Sequence, residues 1–360
     1  MTGAASESTP AAGRLALLTG SPGAVMSAVG EALGRAGWRV APHDLAPVPP
    51  GQAPPRAEAV IHLGLRSPHE LDEAGRGELE AAGAEGAARL ARATGARRLV
   101  HVSSTAVYGR PRNLPCREGE LKAPRTAGER IRWRAERASW AAFRHGAPLT
   151  VLRPALLYGP TLRGGPVRAL ALVTLLSQRT RRVPIIRHGP VTHLCHLEDL
   201  AEAVALVASH PDDAAVVGQA FNVADQAPLP LAEVLEAALQ ALGYQPGRFL
   251  PTWPRLTAGA LWLIRHVPDR VLLSQLNRRL LGRWRSLSIE RGASLVPQVD
   301  RESLHWLSGD HYFDIARLAG LGFRHRYPVA TEAIPDTIRA LVAGRLLPGL
   351  PRRPGDPSLG

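Results

Sequence analysis

"RLVHVSSTAVYG", residues 98–109, decides how the rest of the chain is read. Apolar and β-branched residues run up to two hydroxyls and then break at a glycine, so the stretch predicts a buried strand that opens into a turn. Comparable runs stand on both sides: "LALLTG" (15–20), "WRVAPHDL" (38–45), "VIHLGL" (60–65), "LTVLRPALLYG" (149–159) and "QAFNVAD" (219–225). Helix-like segments lie between them, among them "AVMSAVGEALGRAG" (24–37), closed by Gly37. Another carries Leu79, Gly83, Gly86, Leu90 and Ala93 on one stripe, small residues that suit close packing on a sheet. Strands alternating with helices predict an α/β protein, a doubly wound parallel sheet of Rossmann type covered on both faces. Pro42 removes a ladder donor and weakens the second strand.

The first strand leads into "LLTGSPGAVM", where Gly20, Ser21, Pro22 and Gly23 form a strand-to-helix turn. Glycine there lets backbone N–H groups approach a pyrophosphate held at a helix N-terminus. Met26 occupies the third position of the usual glycine spacing and crowds the helix or narrows the groove. Asp44, at the end of the second strand, stands where a carboxylate accepts hydrogen bonds from an adenosine ribose, which favours NAD over NADP. A solvated turn aspartate is the plainer reading of the same residue.

Length and composition set the outer limits. The 360 residues are 45 % hydrophobic, enough to build one large α/β domain or a nucleotide-binding domain with a smaller lobe. The net charge of +13 comes from scattered arginines, with Lys122 the only lysine, and no zinc-finger spacing or basic-region helix accompanies it, so no nucleic-acid partner is expected. Cys116 and Cys195 are far apart and fit a reducing compartment without a disulfide framework. The first residues lack the charged start and apolar core of a secretion signal, and "LTAGALWLI" (256–264) is far shorter than the roughly 20 residues of a bilayer-crossing helix. A cytoplasmic protein without a membrane span is the expectation.

Taken in order, "LLTGSPG", "VIHLGL", "RLVHVSSTAVYG", "LTVLRPALLYGP", "HLEDLAEAV", "FNVAD" and "FDIARLAGLGF" resemble the NAD-dependent epimerase/dehydratase family, the extended short-chain dehydrogenase/reductases. The resemblance runs from about Arg14 to Val342 and is most specific in "VSSTAVYG" followed by "LRPALLYGP". It implies a bound NAD and a small-molecule substrate, typically a nucleotide-sugar or a steroid-like or lipid-like alcohol. It also implies a homodimer built through helices. In such proteins a serine orients the substrate oxygen and a tyrosine four residues before a lysine transfers the proton, its phenol acidified by the neighbouring ammonium. Ser104 matches the serine, although a capping hydroxyl is its plainer alternative. Leu63 and Ser103 match cofactor-side positions, Tyr158, His196 and Asp199 the substrate side, and Tyr108, Arg153 and Pro154 mainly structural ones. A buried histidine satisfied by backbone is the alternative for His196.

The departures fall on the chemistry. "TAGERIRWRAE" (126–136), anchored on Glu136, puts Gly128 at the tyrosine position and Arg132 at the lysine position, where Arg132 can still hold a cofactor ribose. No tyrosine of the chain has a lysine four residues on. Between Asp44 and "VIHLGL" the family inserts another strand and helix, whereas here some fifteen proline-rich residues remain. Gly83 stands where the family commonly has an asparagine. Glu129, His101 and His145 are substitutes for the lost proton donor that no motif supports.

The expected layout is a disordered tail over 1–13 and an NAD(P)-binding Rossmann-type domain over 14–227, with 160–200 contributing to the substrate cleft. A mostly helical substrate or lid lobe follows over 228–343, and a disordered tail over 344–360. In that lobe Leu272, Leu276, Leu280 and Trp284 share a helical stripe beside several arginines; they predict a lid helix, with peripheral membrane contact through 256–285 as the weaker reading. Two functions stay open: an NAD(P)-dependent oxidoreductase or epimerase with a non-standard proton donor, or a catalytically inactive relative, a pseudoenzyme serving as dinucleotide-binding sensor, scaffold or partner subunit.

Overall fold

The computed structural model describes residues 14–45, 54–65, 71–164, 166–176, 182–183, 189–247, 269–291, 293–299 and 309–348. Residues 46–53 of the proline-rich run, the "LTAGALWLI" stretch and most of both expected tails lie outside them.

Six strands form the main sheet: β1 (Leu15–Thr19), β2 (Arg39–Pro42), β3 (Ala59–His62), β4 (Arg98–Val102), β5 (Leu149–Pro154) and β10 (Gln219–Val223), in the order β10-β5-β4-β3-β1-β2. The registers β1–β2, β1–β3, β3–β4 and β4–β5 are all parallel. Every residue of β1, β3, β4 and β5 is buried, as expected of strands covered on both faces. β2 is half exposed and ends the sheet, which is where a strand finishing in Pro42 is tolerated. Among the described residues no strand or helix separates β2 from β3. The chain leaves β1 to one side for β2 and to the other for β3, so the β1/β3 boundary is the switch point at which sheets of this kind open a crevice beyond their strand ends.

The strands are shorter than the apolar runs that announce them. β3 stops at His62 because Gly64 takes φ +79°, and β4 stops at Val102 before a single 3₁₀ turn, Thr105–Tyr108. "LTVLRPALLYG" divides into β5 and β6 (Leu156–Tyr158). β6 pairs in parallel with β9 (Leu194–His196), while β7 (Arg182–Val183) and β8 (Val191–Thr192) belong to separate two-stranded pairs.

The chain divides into two units. One comprises 1–103, 131–152 and 201–220; the other comprises 104–130, 153–200 and 221–360. The division therefore does not fall at a single point near residue 227. In the first unit, helices α1 (Ala24–Arg35) and α2 (Glu73–Thr94) flank the sheet. Its core joins Leu15, Leu17, Val60, Leu99, Leu149 and Val151 to the small residues Ala87, Ala88 and Ala91 of α2. The buried face of α2 runs through Glu80, Gly83, Ala84, Ala87, Leu90, Ala91 and Thr94, so Ala93, expected on the packed stripe, is exposed and Leu79 only half-buried. The 18-residue helix α3 (Ala127–Arg144) spans the division. Helix α5 (Leu197–Ser209) crosses it as well, and the short α6 (Asp213–Val216) lies in the first unit.

The second unit has its own apolar core. Residues of α4 (Pro166–Leu176), α7 (Leu231–Ala241), α8 (Asp269–Arg291) and α10 (Ala330–Ala343) meet around Tyr158, Tyr244 and Trp284; a short α9 (Ala316–Gly320) precedes α10. On α8 the stripe is Leu273, Leu280 and Trp284, whereas Leu276 is 42 % exposed. Leu280 and Trp284 are taken up by this core, while Ile289 of the same helix is exposed. Leu346 and Leu347 are buried in the same core, which extends past the expected limit at 343.

Candidate functional site

The glycine turn after β1 is shaped by a close approach. Gly20 has φ +124°, and a Cβ added to it would lie 2.5 Å from the Gly64 carbonyl oxygen and 3.3 Å from Leu63 Cβ. The Ser21 N–H donates to that same carbonyl at 3.0 Å, which stitches the β1 turn to the β3 turn across the switch point. Around Gly23, in contrast, an added Cβ would meet nothing within 4 Å. Gly23 caps the 12-residue α1 without a side-chain hydrogen bond, and no acidic residue stands in the first turn. The first backbone bond of α1 runs from Ser27 to the Gly23 carbonyl, so the N–H groups of Ala24, Val25 and Met26 face outward with the positive end of the helix dipole. Gly20, Ser21, Pro22 and Gly23 thus make an open cradle suited to a diphosphate, and the residues fit a dinucleotide. Met26 is half-buried in the first turn of α1.

The neighbouring candidates divide. Leu63 lies against Gly20, its N–H bonded to the Thr19 carbonyl at 2.9 Å. Asp44 is exposed two residues beyond the end of β2. Ser103 turns inward: its buried hydroxyl donates to Glu136 Oε2 at 2.6 Å, and Glu136 Oε1 accepts the Trp140 indole N–H at 3.0 Å. The Ser103 side chain is therefore committed to the core instead of a cofactor. At Gly83, a Cβ would come within 2.7 Å of Leu65 Cδ1 and 3.4 Å of His62 Cε1, so those side chains fill the room an asparagine would need.

Under the cradle, His62 and His101 stack with ring centroids 5.4 Å apart. Thr19 Oγ1 and His62 Nδ1 share a hydrogen bond of 3.0 Å. Burial, then the neighbouring His101, pushes the His62 pKa down to about 3, so His62 is neutral.

Helix α3 carries the expected catalytic positions. Gly128 is its second residue and offers no side chain. Glu129 is not a proton donor in waiting: its Oε2 accepts the Arg125 and Thr126 N–H groups at 2.5 and 3.0 Å, while Thr126 Oγ1 accepts the Glu129 N–H at 3.2 Å, a reciprocal capping box. His145 sits just beyond the other end of the helix. Arg132 is exposed and directs Nη1 to within 3.8 Å of the place a Gly64 Cβ would occupy. Glu80 of α2, which no motif singles out, meets it there: its Oε2 accepts the Leu65 N–H at 3.1 Å and lies 3.4 Å from that same place. Only its proximity in space to the glycine turns reveals it.

In the second unit, Ser104 is half-exposed and its Oγ accepts the Ala106 N–H at 3.1 Å, capping the 3₁₀ turn. The capping bond uses the oxygen as acceptor, and the hydroxyl proton is not spent in it. Tyr108 is fully buried, donating to Asn222 Oδ1 at 2.7 Å and accepting from Arg153 Nη1 at 2.7 Å. Tyr158 and His196 are 3 % and 2 % exposed and stack edge to face at 5.0 Å, with Tyr327 3.8 Å beyond His196. His196 Nδ1 accepts the Glu198 N–H at 3.3 Å, the backbone-satisfied arrangement. Asp199 accepts the Arg326 and Tyr327 N–H groups, and Asp225 accepts the His196 N–H at 3.2 Å. These are supports of a loop, not exposed reactive groups.

A parallel sheet with its switch point under a glycine turn at a helix N-terminus defines a Rossmann-type protein. Residues 52–224 match the model of the NAD dependent epimerase/dehydratase family. The match begins between β2 and β3. Solved structures agree on the fold. A UDP-galactose 4-epimerase is 16 % identical over 92 % of this chain and 99 % of its own, with a TM-score of 0.60. The Bordetella bronchiseptica enzyme WbmG in complex with NAD and UDP is 17 % identical over 94 % and 96 %, with a TM-score of 0.60. Human epimerase family protein SDR39U1 with NADPH is 15 % identical over 90 % and 99 %, with a TM-score of 0.59. No curated protein matches the chain in sequence.

Proposed function

We propose that this protein is an NAD(P)-dependent oxidoreductase or epimerase acting on a hydroxyl or carbonyl of a bulky substrate, a nucleotide-sugar or a steroid-like or lipid-like alcohol, with a proton donor other than tyrosine. The observation that carries the reading is the cradle: Gly20 is packed so tightly on Gly64 that no side chain fits, while the space over Gly23 is open. A turn that needs glycine on one side and empties on the other is what a pyrophosphate requires. The bound dinucleotide supplies hydride chemistry.

The chain's own residues do the rest. The outward N–H groups of α1 hold the diphosphate, Asp44 accepts from the adenosine ribose, which favours NAD, and Arg132 contributes a fixed positive charge. Ser104 donates its free proton to the substrate oxygen and orients it for hydride transfer; solvent or the substrate itself exchanges the remaining proton. A nucleotide-sugar is favoured by the company the fold keeps, an epimerase of UDP-galactose and an enzyme bound to NAD and UDP.

A second reading is supported by α3: Gly128 has no side chain and Glu129 is engaged in a capping box, so the reaction has lost its usual proton carrier. On this reading the protein binds a dinucleotide as a sensor, scaffold or partner subunit.

Titration of the purified protein with NADH and NADPH, read by nicotinamide fluorescence, tests both. Micromolar binding is expected, with NADH the tighter. Absence of either would remove the cofactor from both readings. With binding in hand, nicotinamide absorbance across nucleotide-sugars and steroid alcohols separates them: turnover that Ser104→Ala abolishes supports the enzyme, and silence across the panel supports the sensor.

A further inference from the structure

Glu80 is 9 % exposed, in a helix whose buried face is otherwise almost entirely alanine, glycine and leucine. Burying a carboxylate costs several kcal/mol unless it is paired, and a core-facing alanine at this position would close the same packing. One oxygen is explained, since Oε2 accepts the Leu65 N–H at 3.1 Å. The other makes no hydrogen bond among the described residues, yet it is not one of the sealed polar atoms. This nearly buried but still reachable acceptor belongs to a side chain whose Oε2 lies 3.4 Å from the Gly64 Cβ position, on the turn whose carbonyl receives the Ser21 N–H.

Arg132 stands on the other side of that glycine with no hydrogen bond or ion pair of its own among the described residues, its Nη1 3.8 Å from the Gly64 Cβ position. The two side chains therefore offer an acceptor and a cation within one small space over the β3 turn. A phosphate alone needs only the cation. A group bearing hydroxyls next to a diphosphate needs both, and that is the chemistry of a ribose.

We propose that Glu80 is a specificity-determining residue of the cradle, its free oxygen accepting a ribose hydroxyl of the dinucleotide beside the Arg132 guanidinium. The inference rests on the cofactor reading above and adds a residue to it. Burial raises the Glu80 pKa, and Arg132 and the Leu65 N–H pull it back, so the acceptor is lost when acid neutralises it. The charged group that faces it is Arg132 of α3; Arg134, two residues on, pairs with Glu78.

The test is an NADH titration of the full chain and of Glu80→Gln, repeated from about pH 8 to about pH 5. Glutamine keeps the acceptor for Leu65 but not the charge. The expected result is binding weakened about 10-fold or more in the variant, and affinity in the unaltered protein that falls with acid along a profile the variant lacks. Equal affinity and equal pH profiles would overturn the proposal and leave the cofactor reading standing. No NADH or NADPH binding by the unaltered chain overturns the cofactor reading and this inference with it. If Glu80→Gln does not fold, the pH profile of the unaltered protein decides alone: a flat profile through acid sinks the proposal.

Discussion

At Gly20 the backbone admits no other residue. A methyl group there would meet the Gly64 oxygen at 2.5 Å in a conformation that L side chains rarely adopt. Gly20→Ala should therefore cost about 1–3 kcal/mol in urea unfolding and abolish NADH binding, whereas Gly23→Ala, in open space, should leave stability nearly unchanged and weaken binding only. Asp225 makes the pH prediction. Burial first and the neighbouring Asp199 second push its pKa up to about 8. Its folded value lies above the unfolded one, so the native state holds the extra proton between the two and stability falls as pH rises from about 4 to about 8. Asp225→Asn keeps the acceptor for the His196 N–H and should flatten that decline, measured by thermal unfolding across the range. A decline of unchanged slope would assign it to other groups.

At the scale of elements, two ends are held by single side chains. Arg98, on β4, is fully buried; its guanidinium donates to the Val207 carbonyl at 3.2 Å and the His210 carbonyl at 2.9 Å, closing the last turn of α5, with the exposed Asp213 as counter-charge. Arg98→Met leaves those carbonyls buried without donors and should cost about 2–4 kcal/mol. Helix α3 begins at the Thr126–Glu129 capping box, and Thr126→Ala should cost about 1 kcal/mol. Both are read from chemical unfolding. The start of this helix depends on Thr126 and Glu129, not on the residue at 128.

At the scale of the molecule, ligand and stability are linked. NADH at about 100 times its dissociation constant should stabilise the protein by about 2.7 kcal/mol, a rise in melting temperature that Gly20→Ala cancels. No helix among the described residues is long and apolar enough to cross a membrane. Much of this architecture was legible in the residues themselves. Apolar runs of strand length, glycine at the first turn and the "VSSTAVYG" and "LRPALLYGP" stretches foretell the parallel sheet, the cradle and the family, because each depends on local period or on a turn that only glycine permits. The shortened β2–β3 connection and the absent tyrosine were legible for the same reason, being matters of which residues stand where. Tertiary structure alone decided the rest. It turned Ser103 inward to Glu136, buried Tyr158 against His196, covered the α8 stripe at Leu280 and Trp284, and brought Glu80 and Arg132, 52 positions apart, to the same glycine. A side chain's partner is set by what the packed elements place within a few ångströms of it, and sequence spacing does not encode that distance.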